Sequence, residues 1–210
     1  MRLLAIDTCL NACSAAVIDD NQVLAEAFEP MQRGHQERLA TLVAEVVDRS
    51  GLAFADLDRI GVTIGPGSFT GLRVGLAFAK GLGAALSIPL SGVGVLEALA
   101  ASVDVKGEAV SVINAKRGQA FLQVFRNGVS LNDPSNVVLE DLAIAMATLS
   151  GTPTLIGPGI DLLTEMFPAA PAFRLQAPSS VAIARLAMSR PPGRTSPLYL
   201  RAPDARPMAQ

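Results

Sequence analysis

The residues best placed to do chemistry form one glycine-rich run, Gly65-Pro66-Gly67-Ser68-Phe69-Thr70-Gly71-Leu72-Arg73-Val74-Gly75. It follows a β-branched stretch at 59–64 and precedes small and apolar residues that fill nearly every position to Ala85. A strand, a glycine loop and a helix start aim free backbone N–H groups at an anion. The run is not the phosphate loop of nucleoside triphosphatases, which needs four residues between its glycines and then Gly-Lys-Ser/Thr. The dinucleotide fingerprint fails too, because three residues rather than two separate Gly67 from Gly71. Two readings stay open: a phosphate held around Gly65, Gly67, Ser68 and Thr70, or a tight turn that lets a helix pack closely. The residues favour the turn.

Other reactive side chains are few. The sole histidine, His35, opens a helix beside Gln36 and Glu37, and reads as a capping or interface residue rather than a general base. Cys9 and Cys13 make neither a disulfide framework nor a zinc site, so they read as small buried or turn residues in a reduced compartment. The chain has 210 residues, half of them hydrophobic and 17% charged, with a net charge of −2. That composition suits one large domain or two small ones, and lacks the basic excess of an independent nucleic-acid binder. No apolar run is long enough to span a membrane, and Asp7 interrupts the opening apolar stretch too early for a signal peptide. A cytoplasmic location is expected.

The elements that must position these residues follow from periodicity. Strands are expected at 2–8, 13–19 and 22–29, with Asp19-Asp20-Asn21 turning the second hairpin. Leu39, Leu42, Val43, Val46 and Val47 form an i, i+3, i+4, i+7, i+8 stripe on a helix over 36–49, where Glu45 and Arg49 are spaced to pair. A strand at 59–64 and a helix over 70–86 complete the first unit. Residues 88–90 lead into a helical segment carrying Leu96, Leu99 and Ala100. Polarity rises at 102–108, which divides the chain into lobes at 1–105 and 106–190 and a Pro- and Arg-bearing tail at 191–210. The second lobe is expected to hold strands at 109–114, 119–126 and 154–156, an Asn127-Gly128 hairpin turn, and helices at 140–149, 160–167 and 180–188. Strands followed by helices occur twice, a weak internal duplication with a shorter second copy.

Ala5-Ile6-Asp7-Thr8, His35-x-Glu37, the Gly65–Arg73 string, Ala79-Lys80-Gly81 and Pro197-Leu198-Tyr199-Leu200-Arg201 together resemble the TsaB (YeaZ) family. The resemblance implies an α/β protein of the actin-like, sugar-kinase and Hsp70 ATPase (ribonuclease H-like) fold, with two βββαβα-type lobes, the second reduced. It implies a noncatalytic subunit that dimerises with TsaD, works with TsaE and TsaC, and reaches tRNA through the complex to form threonylcarbamoyladenosine. The residues fit a subunit without its own chemistry. Asp7-Thr8-Cys9 lacks the glycine of the superfamily's Asp-x-Gly, so Asp7 reads as a hairpin cap rather than a holder of metal-bound water, and Asp7 and Thr8 as a vestige of a phosphate site. Val95 and Leu99 stand where the sister protein has two histidines, so no metal is expected. Asn114 and Gln119 stand where relatives often carry carboxylates, and Gly157-Pro158-Gly159 lacks a downstream Asn. No cofactor is expected, with a nucleotide at the partner joint left open.

By the same resemblance the two first-lobe helices dock on the partner, through Leu39, Leu42, Val43, Val46, Gly71, Arg73, Val74, Gly75, Phe78 and Lys80. The alternative is that both helices simply cover their own sheet. A homodimer through the same face is expected when the chain is alone. Arg190, Arg194, Arg201 and Arg206 could hold tRNA phosphates or form a solvated terminus. The competing functions are a small ATPase or kinase using Asp7 and the 65–70 loop, and a glycoprotease-like peptidase, for which no nucleophile and base are evident.

Overall fold

The computed structural model describes residues 1–201. In the first half, β1 (Arg2–Asp7), β2 (Ala12–Asp19) and β3 (Gln22–Pro30) run antiparallel, as the turn residues at 19–21 require. Then α1 (His35–Arg49) leads to β4 (Arg59–Thr63), α2 (Phe69–Leu86), β5 (Leu90–Val93) and α3 (Val95–Ala101). β4 and β5 join β1 in parallel, giving the order β3-β2-β1-β4-β5. Strand alternation splits β1 between two cores. Leu4 and Ile6 meet the apolar stripe of α1 and the inner face of α2, while Leu3 and Ala5 face the other way.

The second sheet is built on the long hairpin of β6 (Glu108–Lys116) and β7 (Gln119–Arg126), with the short β8 (Val129–Ser130) and β9 (Ser135–Val138) both paired to β7. β10 (Thr154–Ile156) and β11 (Ala172–Phe173) add in parallel on the far side. Asn127 and Gly128 have φ of 51° and 78°, the mirror-image turn that matches strand twist. The last helix, α5 (Ser180–Met188), is capped by the Ser179 hydroxyl. It crosses back to pack Ile183, Ala184 and Ala187 on Leu3, Ala5 and Ile18 of the first sheet.

Some expectations need correction. Residues 90–93 form an edge strand that the sequence reading folded into a lead-in; Pro89, Gly92 and Gly94 hide its period. The helix expected over 140–149 shrinks to a 3₁₀ turn at Leu139–Asp141 and one α turn, α4 (Leu142–Ala145). Leu142 and Met146 are buried there, Ala145 and Leu149 are only partly so, and Ile144 is 73% exposed, so burial supports little more than one turn. The helix expected over 160–167 is a 3₁₀ turn at Ile160–Leu162. Arg49 donates to the Glu45 carbonyl rather than its carboxylate, because Glu45 and Glu29 both take Arg38.

Candidate functional site

The glycine loop and the β1–β2 turn meet as backbone against backbone. Ser68 caps α2 by accepting from the Gly71 N–H at 3.2 Å, and its own N–H donates to the Cys9 carbonyl at 2.7 Å. The Thr8 hydroxyl donates to the Gly71 carbonyl at 2.7 Å. A Cβ on Gly67 would run into the Cys9 carbonyl oxygen, and one on Gly71 into that of Thr8. Asp7, Thr8, Gly65, Gly67 and Ser68 are thus brought to one place, where the Ser68 and Gly71 N–H groups and the space beside Gly67 and Gly71 are taken up by the chain itself, while Thr70 is exposed on the α1–α2 groove. The loop is closed.

Asp7 lies beneath this closure with no solvent exposure. Its Oδ1 accepts from the Thr63 hydroxyl at 2.6 Å and the Cys9 N–H at 3.1 Å, while Oδ2 is unpartnered among the described residues. The Cys9 contact is the turn-capping geometry of aspartate two residues upstream of its donor. Burial raises the Asp7 carboxyl above the usual carboxylate range, against the opposing pull of Thr63, Cys9 and His35. The folded state therefore holds this proton more tightly than the unfolded chain. The resulting stability is present at low pH and is lost as pH rises through the folded value. Asp7→Asn removes that loss. It is expected to raise stability at neutral pH, with the gain fading toward about pH 4. Urea melts across that range check this, and a variant less stable at neutral pH would contradict it.

The two nearby thiols are not activated. Burial, with the Asp7 charge adding to it, pushes the Cys13 thiol up to about 12 and the Cys9 thiol well above its usual range. Neither should be alkylated by iodoacetamide in the native state near neutral pH, while both should react after denaturation. Rapid native labelling would show a thiolate that this environment does not support. His35 is buried at the start of α1, with Nε2 unpartnered among the described residues. No three His, Cys, Asp or Glu side chains cluster to hold a metal among the described residues. Val95 and Leu99 are core residues, and Glu97 is paired with Arg190 at 2.6 Å.

What stays open is the outer face of α2 and the groove beside α1. A cavity of about 540 Å³ is lined by Gln36 and Leu39 of α1 and by Phe69, Thr70, Arg73, Val74, Ala77 and Phe78 of α2. Arg73 places its guanidinium carbon 3.7 Å over the Phe69 ring, and Phe69 is 53% exposed. Lys80 is exposed further along the same helix. The remaining residues named for docking are buried, Leu39 even where it lines this groove. Leu39, Leu42, Val43 and Val46 are buried in the chain's own core, and Gly71 and Gly75 face Thr8. The apolar stripe of α1 is therefore the face toward the sheet, and Ala40, Thr41 and Ala44 are exposed on the side that remains. Phe69 and Ala77 escaped the sequence reading because they interrupt no period; the aromatic in a glycine loop was the available signal.

Two tail arginines make contacts within the chain. Arg190 binds Glu97, and Arg201 binds Gln119 and the carbonyls of Ala115 and Lys116, so neither is a solvated cation. Arg206 lies outside the described residues. No helix of the described residues is long and apolar enough to cross a membrane.

Comparison with known proteins agrees with this geometry. The family described as TsaD: tRNA N6-adenosine threonylcarbamoyltransferase matches residues 22–188. The tRNA threonylcarbamoyladenosine biosynthesis protein TsaB of Escherichia coli K12 is 34% identical over 76% of this chain and 72% of its own length. Its Bacillus subtilis counterpart is 35% identical over 67% of this chain and 64% of its own. The solved structure of YeaZ from Pseudomonas aeruginosa superposes with a TM-score of 0.76 at 27% identity, covering 90% of this chain and 91% of that one. A ROK hexokinase from Thermus thermophilus gives 0.53 at 13% identity over 90% and 98% of the two chains. The hexokinase likeness concerns fold alone, and the fold is the actin-like, sugar-kinase one.

Proposed function

We propose a function from one premise: the chain belongs to the TsaB (YeaZ) family of tRNA threonylcarbamoyladenosine biosynthesis proteins. The chain takes part in making that modified nucleoside. It does so as a noncatalytic subunit that docks on TsaD and reaches tRNA, together with TsaE, only through the complex. The observation that carries this reading is the contrast between a phosphate loop closed by its own backbone and an apolar helix face left open beside it.

The closed loop argues against kinase or ATPase chemistry, because the Ser68 and Gly71 N–H groups are engaged with Cys9 and Ser68 and the Cys9 and Thr8 carbonyls fill the space beside Gly67 and Gly71. Peptidase chemistry lacks an activated nucleophile, given two raised thiols and a buried imidazole. The chain carries no cofactor of its own and works in the cytoplasm. The open face has the composition of a docking surface: aromatic and small residues line a groove with Arg73, and Lys80 is exposed further along α2. Left alone, the same face pairs two copies of the chain.

Size-exclusion chromatography of the chain mixed with TsaD from the same cell tests the reading. A heterodimer peak, with the pure chain inert toward ATP, is the expected result. ATP hydrolysis by the pure chain, abolished by Asp7→Asn, would replace the subunit reading with the enzyme one.

A further inference from the structure

The segment after α5 does more than end the chain. Gly193 extends the first sheet, donating its N–H to the Leu90 carbonyl at 3.0 Å and accepting from Gly92 at 3.3 Å. Leu198 then donates to the Ile64 carbonyl at 2.7 Å, where β4 gives way to the glycine loop. Tyr199 comes to rest on the docking face: its ring lies 5.6 Å from that of Phe69, and its hydroxyl accepts from the Arg73 Nε at 3.3 Å. Two residues on, Arg201 is fastened to the second lobe. Its Nε and Nη2 donate to the Gln119 Oε1 at 2.9 and 2.6 Å, and Nη2 also reaches the Ala115 and Lys116 carbonyls at 2.8 and 3.1 Å.

Tyr199 is therefore pinned on both sides while its ring stays 47% exposed. Phe69, 53% exposed, and Tyr199 thus present two half-exposed rings beside Arg73. Held rigid beside an arginine, an exposed tyrosine has the chemistry of an interface anchor, since it offers a broad contact area with little side-chain freedom left to lose. We infer that Tyr199 is part of the surface that docks on the protein partner, and that Arg201 is a positioning residue whose clamp on the β6–β7 hairpin holds Tyr199 there. This rests on the docking reading above and adds to it a dependence of the first-lobe face on the second lobe.

The chain has one tyrosine and no tryptophan, so its intrinsic emission reports on Tyr199 alone. Arg201→Ala and Gln119→Ala are each expected to lower the anisotropy of that emission and raise its quenching by acrylamide, with circular dichroism unchanged. In titration calorimetry with TsaD, Arg201→Ala and Tyr199→Ala should each weaken binding by about tenfold. The double variant Gln119→Ala/Arg201→Ala should bind no more weakly than Arg201→Ala, since both remove one clamp. Unchanged emission in Arg201→Ala overturns the clamp. A released Tyr199 with unchanged affinity overturns its place in docking. Should the wild-type chain not bind TsaD at all, the docking reading and Tyr199's place in it fail, while the emission still decides the clamp.

Discussion

Ala77→Arg is expected to leave the fold intact and to weaken association with TsaD by about 100-fold or more, which corresponds to about 2.7 kcal/mol. Ala77 lies in the open groove between α1 and α2, exposed, with Val74 and Phe78 beside it. Arginine is nearly as good a helix former as alanine and would sit in solvent in the free chain. In a dry interface the same guanidinium must be desolvated without a partner, at a cost of several kcal/mol. Calorimetry with TsaD reads the loss, and self-association of the free chain should disappear in the same variant. Leu42→Ala provides the contrast. Leu42 is fully buried in the chain's own core, so that change should cost about 2–5 kcal/mol of fold stability. Full affinity in Ala77→Arg would move the docking surface off α2.

Two glycines in α2 should respond to alanine with opposite signs. Alanine ordinarily stabilises a helix position by about 0.8–1.0 kcal/mol relative to glycine. Gly81 is exposed with nothing near its absent Cβ, so Gly81→Ala should show that gain. Gly71 lies one turn from the helix start, with its absent Cβ directed at the Thr8 carbonyl oxygen. The neighbour is backbone of the β1–β2 turn, directly after β1 and buried, and has no easy way to give. Gly71→Ala is expected to destabilise the chain by about 3 kcal/mol or more, by separating the glycine loop from the β1–β2 turn. Thermal melts of the pair decide the point. A neutral Gly71→Ala would mean that the loop stands off from the turn and has room for a ligand.

The contrast between these glycines shows what sequence could and could not disclose. Sequence pattern revealed the first three strands as apolar runs set between turn residues, α1 by a buried face that repeats at 3.6 residues, and α2 by its continuous small and apolar run, although β1 and β2 are buried on both faces and show no alternation. It revealed the second lobe less well, because β8, β9, β11 and the turns at 139–145 and 160–162 are too short to complete a period. The glycine string was visible as a turn, and its favoured reading as close packing agrees with the contacts around Gly67 and Gly71. The open face of α1 and α2 was legible only in part. On α1 the regular stripe of Leu39, Leu42, Val43 and Val46 marks the side toward the sheet, whereas an outer face of alanines and a threonine repeats nothing. Arg201 was unreadable for a different reason, since its partners lie some 82 residues away across the two lobes.

Reconstitution of tRNA threonylcarbamoylation with TsaD and its companion proteins tests the central claim most directly, using the wild-type chain, Asp7→Asn and Ala77→Arg side by side. The account predicts that modification depends on the chain, survives Asp7→Asn, and is lost with Ala77→Arg. Loss of modification in Asp7→Asn, with TsaD still bound, would contradict it and give this buried carboxylate a chemical role.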